Sequence, residues 1–231
     1  MNRKPLLNNE YYHICNRGVI GVEVLKDVKD HLHFLSCLKE FNTDRNVEFR
    51  ILKTSEPISR RDAEEHELVE IISYCLQPKH YHLILKQKKN NGIALFMQKI
   101  GTGYTMYYNS RYSSNGHIFQ GKFLSQHIPN SDFLLFMTSF IHLHPLKRKE
   151  EQLFNLKLNK ILIIKLSTYV WSSMPDYMNN TAIYIDLPEL KYVKPHVNIE
   201  RIQSILQNEA YDSYILNNWG KKYVKIGKKY L

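Results

Sequence analysis

Three His-x-His triplets are the features of this sequence best suited to chemistry, because paired imidazoles can bind a divalent metal. The pairs are His31 and His33, His80 and His82, and His142 and His144. Residues i and i+2 share one face of a β-strand but point about 200° apart on a helix. The secondary structure around each pair therefore decides whether it can chelate a metal.

The middle pair lies in a predicted strand. The stretch LVEIISYCLQ (68–77) is apolar and β-branched, the dipeptide Pro-Lys interrupts it, and HYHLILKQ (80–87) resumes it. This pattern predicts a buried antiparallel pair of strands around a short turn, at the centre of a sheet. His80 and His82 then share one face of a central strand, and Tyr81 faces the core on the other side.

The other two pairs lie in predicted helices. Apolar residues recur at spacings of three and four from Asp27 to Phe41, and NSDFLLFMTSFIHLH reads as a capped helix that ends at a proline. On this second helix, Phe140 and His144 are four residues apart and therefore lie on the same face. His144 could therefore reach the same metal as His80 and His82, while His142 would point elsewhere. The alternative for His144 is a helix-terminal histidine that the helix dipole favours.

The remaining elements define the predicted fold. We expect a first strand ending at Ile14, a helix capped by Asn91, and a kinked strand over GHIFQGKFLSQHI; NVEFRIL (46–52) is a further candidate strand. The order strand, helix, strand, strand, helix, strand, helix predicts an α+β fold: a ferredoxin-like antiparallel sheet with helices packed on one face. We expect a domain over 1–147 and a mostly helical, basic C-terminal extension over 148–231, with two helices after residue 197.

Composition indicates a globular protein with a polyanionic partner. Of the 231 residues, 43% are hydrophobic, and 32 Lys and Arg against 22 Asp and Glu give a formal charge of +10. The 16 tyrosines offer faces on which unpaired bases can stack. The tail WGKKYVKIGKKYL has five lysines and no acid. We predict backbone contacts to nucleic acid from this tail, represented by Lys221 and Lys222.

Cysteines and apolar segments indicate the compartment. The three cysteines are widely spaced and lack CxxC spacing, so neither a disulfide framework nor a thiolate zinc site is expected. The N-terminus has no apolar signal region, and lysines interrupt the run LNKILIIKLSTYV. We expect a soluble, cytoplasmic protein with no membrane segment.

Six fragments resemble one family. In order from Tyr11 to Tyr177 they are YHICNRG, YCLQPKHYHLIL, NGIALFMQKIGTGYTMYYN, GHIFQGKF, FIHLHPLK and WSSMPDY. Together they resemble the REP-associated and insertion-sequence single-tyrosine transposases of the HUH endonuclease superfamily. The resemblance implies a ferredoxin-like fold in which His80 and His82 bind Mg²⁺ or Mn²⁺.

The resemblance also implies a reaction and partners. In such enzymes a tyrosine on the following helix attacks a phosphate of single-stranded DNA, which leaves a covalent 5′-phosphotyrosine and permits later strand transfer. This implies DNA transposition, a form of DNA recombination, on hairpin-forming palindromic DNA, carried out by a monomer or a homodimer. Arg17, after the first strand, and Lys122, in QGKF, are predicted phosphate contacts, although a solvated surface cation is an equal alternative for each.

This chain departs from the family at the nucleophile. Where the family reads Tyr-Ile-x-x-Asn-Pro, residues 140–145 read FIHLHP, so Phe140 occupies the nucleophile position without a hydroxyl, and His144 replaces an Asn or Gln ligand. Three explanations stay open: a metal-dependent DNA-binding protein that has lost catalysis, a metal-dependent hydrolytic nuclease that uses water, or a substitute tyrosine. An engineered Tyr-to-Phe change would also give this sequence. The candidate substitutes are Tyr104, above all, and Tyr107, Tyr108 and Tyr112.

Overall fold

The computed structural model describes residues 5–47, 65–146 and 160–179. Its elements are β1 (Tyr11–Arg17), α1 (Val28–Glu40), β2 (Val69–Gln77), β3 (His80–Gln87), α2 (Gly92–Tyr112), β4 (Leu124–Ile128), α3 (Ser131–Leu143), a 3₁₀ turn (His144–Leu146), α4 (Lys160–Ser167) and α5 (Met174–Asn179). Most of the candidate strand at 46–52, the helices predicted after residue 197, and Lys221 and Lys222 lie outside the described residues. No helix in the described ranges combines the length and apolar composition that crossing a membrane needs.

The four strands form one antiparallel sheet in the order β2-β3-β1-β4. With α1 between β1 and β2 and α2 between β3 and β4, the order of elements is that of the ferredoxin-like motif. The predicted tight turn between β2 and β3 is present, and β3 is a central strand as expected. β1 extends to Arg17 instead of ending at Ile14, because its last residues pair with the start of β3, where Arg17 lies opposite His80.

Helices cover both faces of the sheet, so the prediction that they pack on one face is wrong for α3. On the face that carries Tyr81, the ring of Phe34 from α1 lies 4.9 Å from Tyr81 and 5.0 Å from Tyr104 of α2. On the other face, His144 at the end of α3 lies 4.2 Å from His82, between ring centroids. The reason is burial: β3 is buried on both faces, and α3 is buried at every position from Phe133 to Leu143.

Local backbone geometry confirms one predicted helix cap and corrects two other details. The Asn130 side chain caps α3 by accepting from the Phe133 N–H at 2.8 Å. Asn91 precedes α2 in a left-handed conformation and makes no side-chain cap. Only Leu124–Ile128 of the predicted kinked strand is a strand, because Gly121, with φ +74°, turns the chain just before it.

The described part of the C-terminal extension packs against the edge strand β2. The Leu76 N–H donates to the Trp171 carbonyl at 2.8 Å, and the Ser173 N–H donates to the Tyr74 carbonyl at 3.0 Å. The Trp171 ring stacks on His31, with centroids 4.5 Å apart. These contacts satisfy backbone groups of an otherwise open edge. The domain boundary near residue 147 stays a prediction.

His142 fixes this segment from α3 and should make the fold sensitive to acid. Its Nε2 and the Ser173 Oγ share a hydrogen bond of 2.8 Å, and burial lowers the His142 pKa to about 3. In the unfolded chain a histidine gains a proton below about pH 6.5, whereas folded His142 stays neutral. Protonation therefore favours unfolding, and stability present at neutral pH is lost as the pH falls from about 6.5 toward 3.

We expect His142→Gln to reduce this acid sensitivity. Between about pH 7.5 and about pH 5, the free energy of unfolding of the native sequence should fall by about 2 kcal/mol more than that of the variant. Urea denaturation in the presence of EDTA measures both. His117→Gln, at an exposed histidine, controls for a general effect of removing an imidazole. Equal losses in the native and His142→Gln proteins would contradict the prediction.

Candidate metal centre

Three histidines converge where the end of α3 crosses the sheet. His80 and His82 alternate along β3 on the same face, and His144 lies at the C-terminal end of α3 above them. One donor atom of each lies within 4.8 Å of the others. The ring centroids of His80 and His82 are 5.2 Å apart, and those of His80 and His144 are 5.8 Å apart. The structure thus brings together the three predicted ligands, whose metal-binding role stays a prediction.

Burial keeps these imidazoles neutral, which a metal ligand requires. Burial, with a smaller effect of the Arg17 charge, lowers the His80 pKa to about 4. Burial, and to a smaller extent the neighbouring histidines, lower the pKa of His82 well below its usual value. The same two causes lower the pKa of His144 well below its usual value. Each ring therefore has one nitrogen lone pair available near neutral pH.

The donor set fits a divalent cation. His144 Nδ1 is buried and makes no well-aligned hydrogen bond with the described residues, although the Phe140 backbone is near enough to raise the pKa of the ring. A buried polar atom without a good partner costs free energy unless something binds it. Imidazole nitrogens favour transition-metal ions, whereas Mg²⁺ prefers oxygen. Of the two ions implied by the resemblance, Mn²⁺ fits these three side chains better.

A fourth histidine, which the sequence analysis did not single out, contacts the centre. His13 Nε2 and His82 Nδ1 share a hydrogen bond of 2.9 Å, and the two ring planes are 11° from parallel. His13 is fully buried. This contact engages Nδ1 of His82 and leaves Nε2 for a metal held with His80 and His144. Strand alternation places His13 on one face of β1, but only the pairing of β1 with β3 brings it to His82.

Phe140 lies next to the three histidines. Its ring packs edge-on against His144, with centroids 4.8 Å apart, and only 2% of the residue is exposed. The position that the resemblance assigns to the nucleophile is therefore beside the candidate metal centre. Phenylalanine presents no oxygen there, so the side chain contributes packing in place of nucleophilic attack.

The geometry does not support Tyr104 as a substitute nucleophile. Tyr104 is fully buried on the opposite face of the sheet, and its hydroxyl donates to the Val24 carbonyl. Burial raises its pKa far above the usual value. The other three candidates lie on the same helix, and their hydroxyls donate to Asp30 (Tyr107 and Tyr112) or to the Glu23 carbonyl (Tyr108).

The two predicted phosphate contacts lie on different sides of the sheet. Arg17 is opposite His80 in the β1–β3 pairing, and its Nε donates to the Gln120 side chain. Lys122 is exposed and lines an open cavity with Tyr81, on the face covered by α1 and α2. The structure therefore places Arg17 beside the candidate centre and Lys122 away from it.

The other histidines of the triplets point apart, as expected on helices. His31 stacks on Trp171, whereas His33 stacks on Tyr107 with centroids 3.7 Å apart. His142 faces Ser173 and not the other three histidines. Neither helical pair forms a chelate.

Comparisons with known proteins agree with this fold. Residues 45–135 match the family described as "Transposase IS200 like", a span that includes His80 and His82 and ends before Phe140 and His144. A solved structure of a REP-associated tyrosine transposase bound to a REP hairpin is 12% identical, with a TM-score of 0.53, covering 81% of this chain and 94% of that chain. At this identity the similarity establishes the fold alone. No curated protein matches.

Over residues 45–135 this chain is similar to the IS200-like transposases. The match confirms the resemblance that the six fragments carry.

We expect His80→Ala to abolish Mn²⁺ binding by the metal-free protein, with affinity falling by roughly a hundredfold or more, because two donors remain where three are needed. His144→Ala should cause a similar loss if His144 is the third ligand. Isothermal titration or the paramagnetic resonance of free Mn²⁺ measures both. His33→Ala, on the far side of the sheet, is the matched control. An unchanged affinity in His80→Ala would exclude the site.

Proposed function

We propose that this chain binds hairpin-forming single-stranded DNA through a divalent metal held by His80, His82 and His144, and that it forms no phosphotyrosine at position 140. The observation that carries the proposal is the position of Phe140 against His144, beside three convergent imidazoles. Three imidazoles offer donor atoms close enough to share a metal, and the nucleophile of the family is absent from its expected place.

The similarity of residues 45–135 to a transposase family and the charge of the chain support DNA as the ligand. The solved relative is bound to a REP hairpin, and a hairpin with a single-stranded flank is therefore the DNA we propose for this chain. The formal charge of +10 favours a polyanion.

Arg17 would act with the three histidines on one phosphate. A divalent cation bound there would polarise a phosphodiester. Arg17, which is opposite His80 in the strand pairing, brings a second positive charge to the same end of the two central strands, and its guanidinium can donate to a phosphate oxygen. Both charges attract the DNA backbone without reading its sequence.

A hydrolytic nuclease is the second candidate. Three protein ligands leave an open coordination position, as in hydrolytic metal sites, and with Phe140 at position 140 water is the remaining attacking group. Hydrolysis would break the bond from phosphorus to the 3′ oxygen and leave a 3′-hydroxyl and a 5′-phosphate. Strand transfer would be lost in this case, because no covalent intermediate preserves the bond energy.

An assay with labelled hairpin DNA and Mn²⁺ separates these functions. We expect metal-dependent retention of the DNA in a mobility-shift experiment and no covalent protein–DNA band after denaturation. Cleaved product without a covalent band would identify the hydrolytic nuclease. A covalent band from the native sequence would refute both candidates and point to another tyrosine. DNA binding that EDTA and His80→Ala leave unchanged would contradict the metal-dependent step.

Phe140→Tyr should restore the covalent band if the nucleophile is the only part missing. The new hydroxyl would lie at the end of a ring that already contacts His144. Phe136→Tyr, one turn earlier on α3, is the matched control and should give no band. An inert Phe140→Tyr protein that still binds Mn²⁺ would show that further residues of the reaction are lost.

Arg17→Ala should weaken hairpin binding by roughly tenfold and lower the slope of log K against log salt by about 0.7, because one phosphate contact is removed. Lys29→Ala, at an exposed lysine on the opposite face, should leave the affinity unchanged. Lys122→Ala tests whether the DNA continues to that side of the sheet. Equal affinities for Arg17→Ala and Lys29→Ala would exclude Arg17 from the interface.

A further inference from the structure

A second donor set lies beneath the three histidines, in the pairing of β1 with β3. His13 and Cys15 alternate along β1 and face the same side as His82, and Cys15 is directly opposite His82 in the register. One donor atom from each of His13, Cys15 and His82 lies within 4.8 Å of the others. Their exposures are 0%, 2% and 2%, so all three are removed from water.

We propose that His13, Cys15 and His82 form a second metal site, selective for a thiophilic cation of the Zn²⁺ class, and that filling it takes His82 away from the three-histidine centre. Imidazole nitrogen and thiolate are both ligand types that Zn²⁺ binds, whereas Mg²⁺ and Mn²⁺ favour oxygen ligands over a thiolate. The charge of the thiolate offsets part of the charge of a cation in this interior. Binding releases the thiol proton of Cys15 to solvent.

The hydrogen bond between His13 and His82 already brings two of the donors together. His13 Nε2 and His82 Nδ1 are 2.9 Å apart. Two nitrogens on one tetrahedral Zn²⁺ are about 3.3 Å apart, so the two rings need to separate by only a few tenths of an ångström. To bind the cation, both nitrogens must present lone pairs. The one proton that they share therefore moves to the other nitrogen of its own ring, which leaves the ring protons on His13 Nδ1 and His82 Nε2. The cation then replaces the shared proton as the link between the two strands.

His82 cannot serve both centres at once. A neutral imidazole has one nitrogen lone pair, and the second site takes it at Nδ1, which leaves a proton on Nε2. The three-histidine centre takes the lone pair at Nε2 and needs the proton on Nδ1, where it is shared with His13. Occupation of the second site therefore empties the first. This consequence, an inhibition of metal-dependent DNA binding by Zn²⁺, rests on the proposed function, whereas the second site itself does not.

Cys75 provides an internal control for the role of Cys15. It is also opposite His82, on the other neighbouring strand, and it is equally buried. Its Sγ accepts from the Gln77 side chain at 3.7 Å, and it belongs to neither donor set of the described residues. Burial beside His82 is thus not sufficient to make a cysteine part of a donor set. The effects of replacing Cys15 and Cys75 can therefore be compared directly.

Cobalt substitution tests the second site in a chain from which the first has been removed. In His80→Ala, added Co²⁺ should produce a thiolate-to-cobalt charge-transfer band in the near ultraviolet. The band should disappear when Cys15→Ser or His13→Gln is added and persist when Cys75→Ser is added. Absence of the band in His80→Ala, or its survival with Cys15→Ser, overturns the proposal. Because His80→Ala removes the first centre, this result does not depend on whether that centre binds Mn²⁺.

A measurement on the unaltered sequence guards against misfolded variants. Far-ultraviolet circular dichroism and the unfolding midpoint establish which variants retain the fold. X-ray absorption of the native chain with one equivalent of Zn²⁺ should show one sulfur at about 2.3 Å together with nitrogen ligands. A shell of nitrogen and oxygen alone overturns the proposal.

Competition tests the exclusion of one ion by the other. Zn²⁺ should displace Mn²⁺ from the native protein, and the Zn²⁺ concentration for half displacement should rise roughly tenfold or more in Cys15→Ser. Cys75→Ser should leave that concentration unchanged. If Zn²⁺ simply replaces Mn²⁺ among the three histidines, Cys15→Ser has no effect, and the proposed exclusion is overturned.

Discussion

The hydrogen bond between His13 and His82 joins the two central strands at the position on which the cluster of three histidines depends. It holds a fully buried imidazole in one orientation at the centre of the sheet. Because His82 is fixed, its ring meets His80 along the strand and His144 from above. Burial keeps the rings neutral, so lone pairs rather than positive charges face one another. Without that burial, mutual repulsion of protonated rings would oppose the cluster.

Covering this face with α3 creates the site and also limits it. The helix is buried at every position from Phe133 to Leu143, so it can close over polar side chains that a solvated sheet face would leave in water. The same packing surrounds position 140. There the difference between phenylalanine and tyrosine is one hydroxyl, which changes the packing little and removes covalent chemistry altogether. In the proposed function, metal binding and group transfer thus depend on different residues. Phe140 has no attacking oxygen, whereas His144, which stands where the family has Asn or Gln, still offers a donor atom.

The solved structure has the same fold at 12% identity. The fold is therefore compatible with very different sequences. Sheet order, strand alternation and the crossing of α3 depend on apolar patterns that many sequences satisfy. A nucleophile depends on one atom. A family match over residues 45–135 therefore shows a similarity without establishing the reaction, which must be argued from the side chains around His82.

The sequence by itself determined features that depend on local geometry. Alternation in HYHLILKQ placed His80 and His82 on one face, the i, i+4 relation linked Phe140 to His144, Asn130 capped α3, and the missing hydroxyl was evident from one letter. Only the tertiary structure decided which face of the sheet α3 covers, that Tyr104 lies on the opposite face, and that His13 and Cys15 meet His82. Periodicity fixes which residues of an element share a side. It does not fix the register between strands distant in sequence or the side on which a helix crosses, since those follow from burying the whole apolar surface at once.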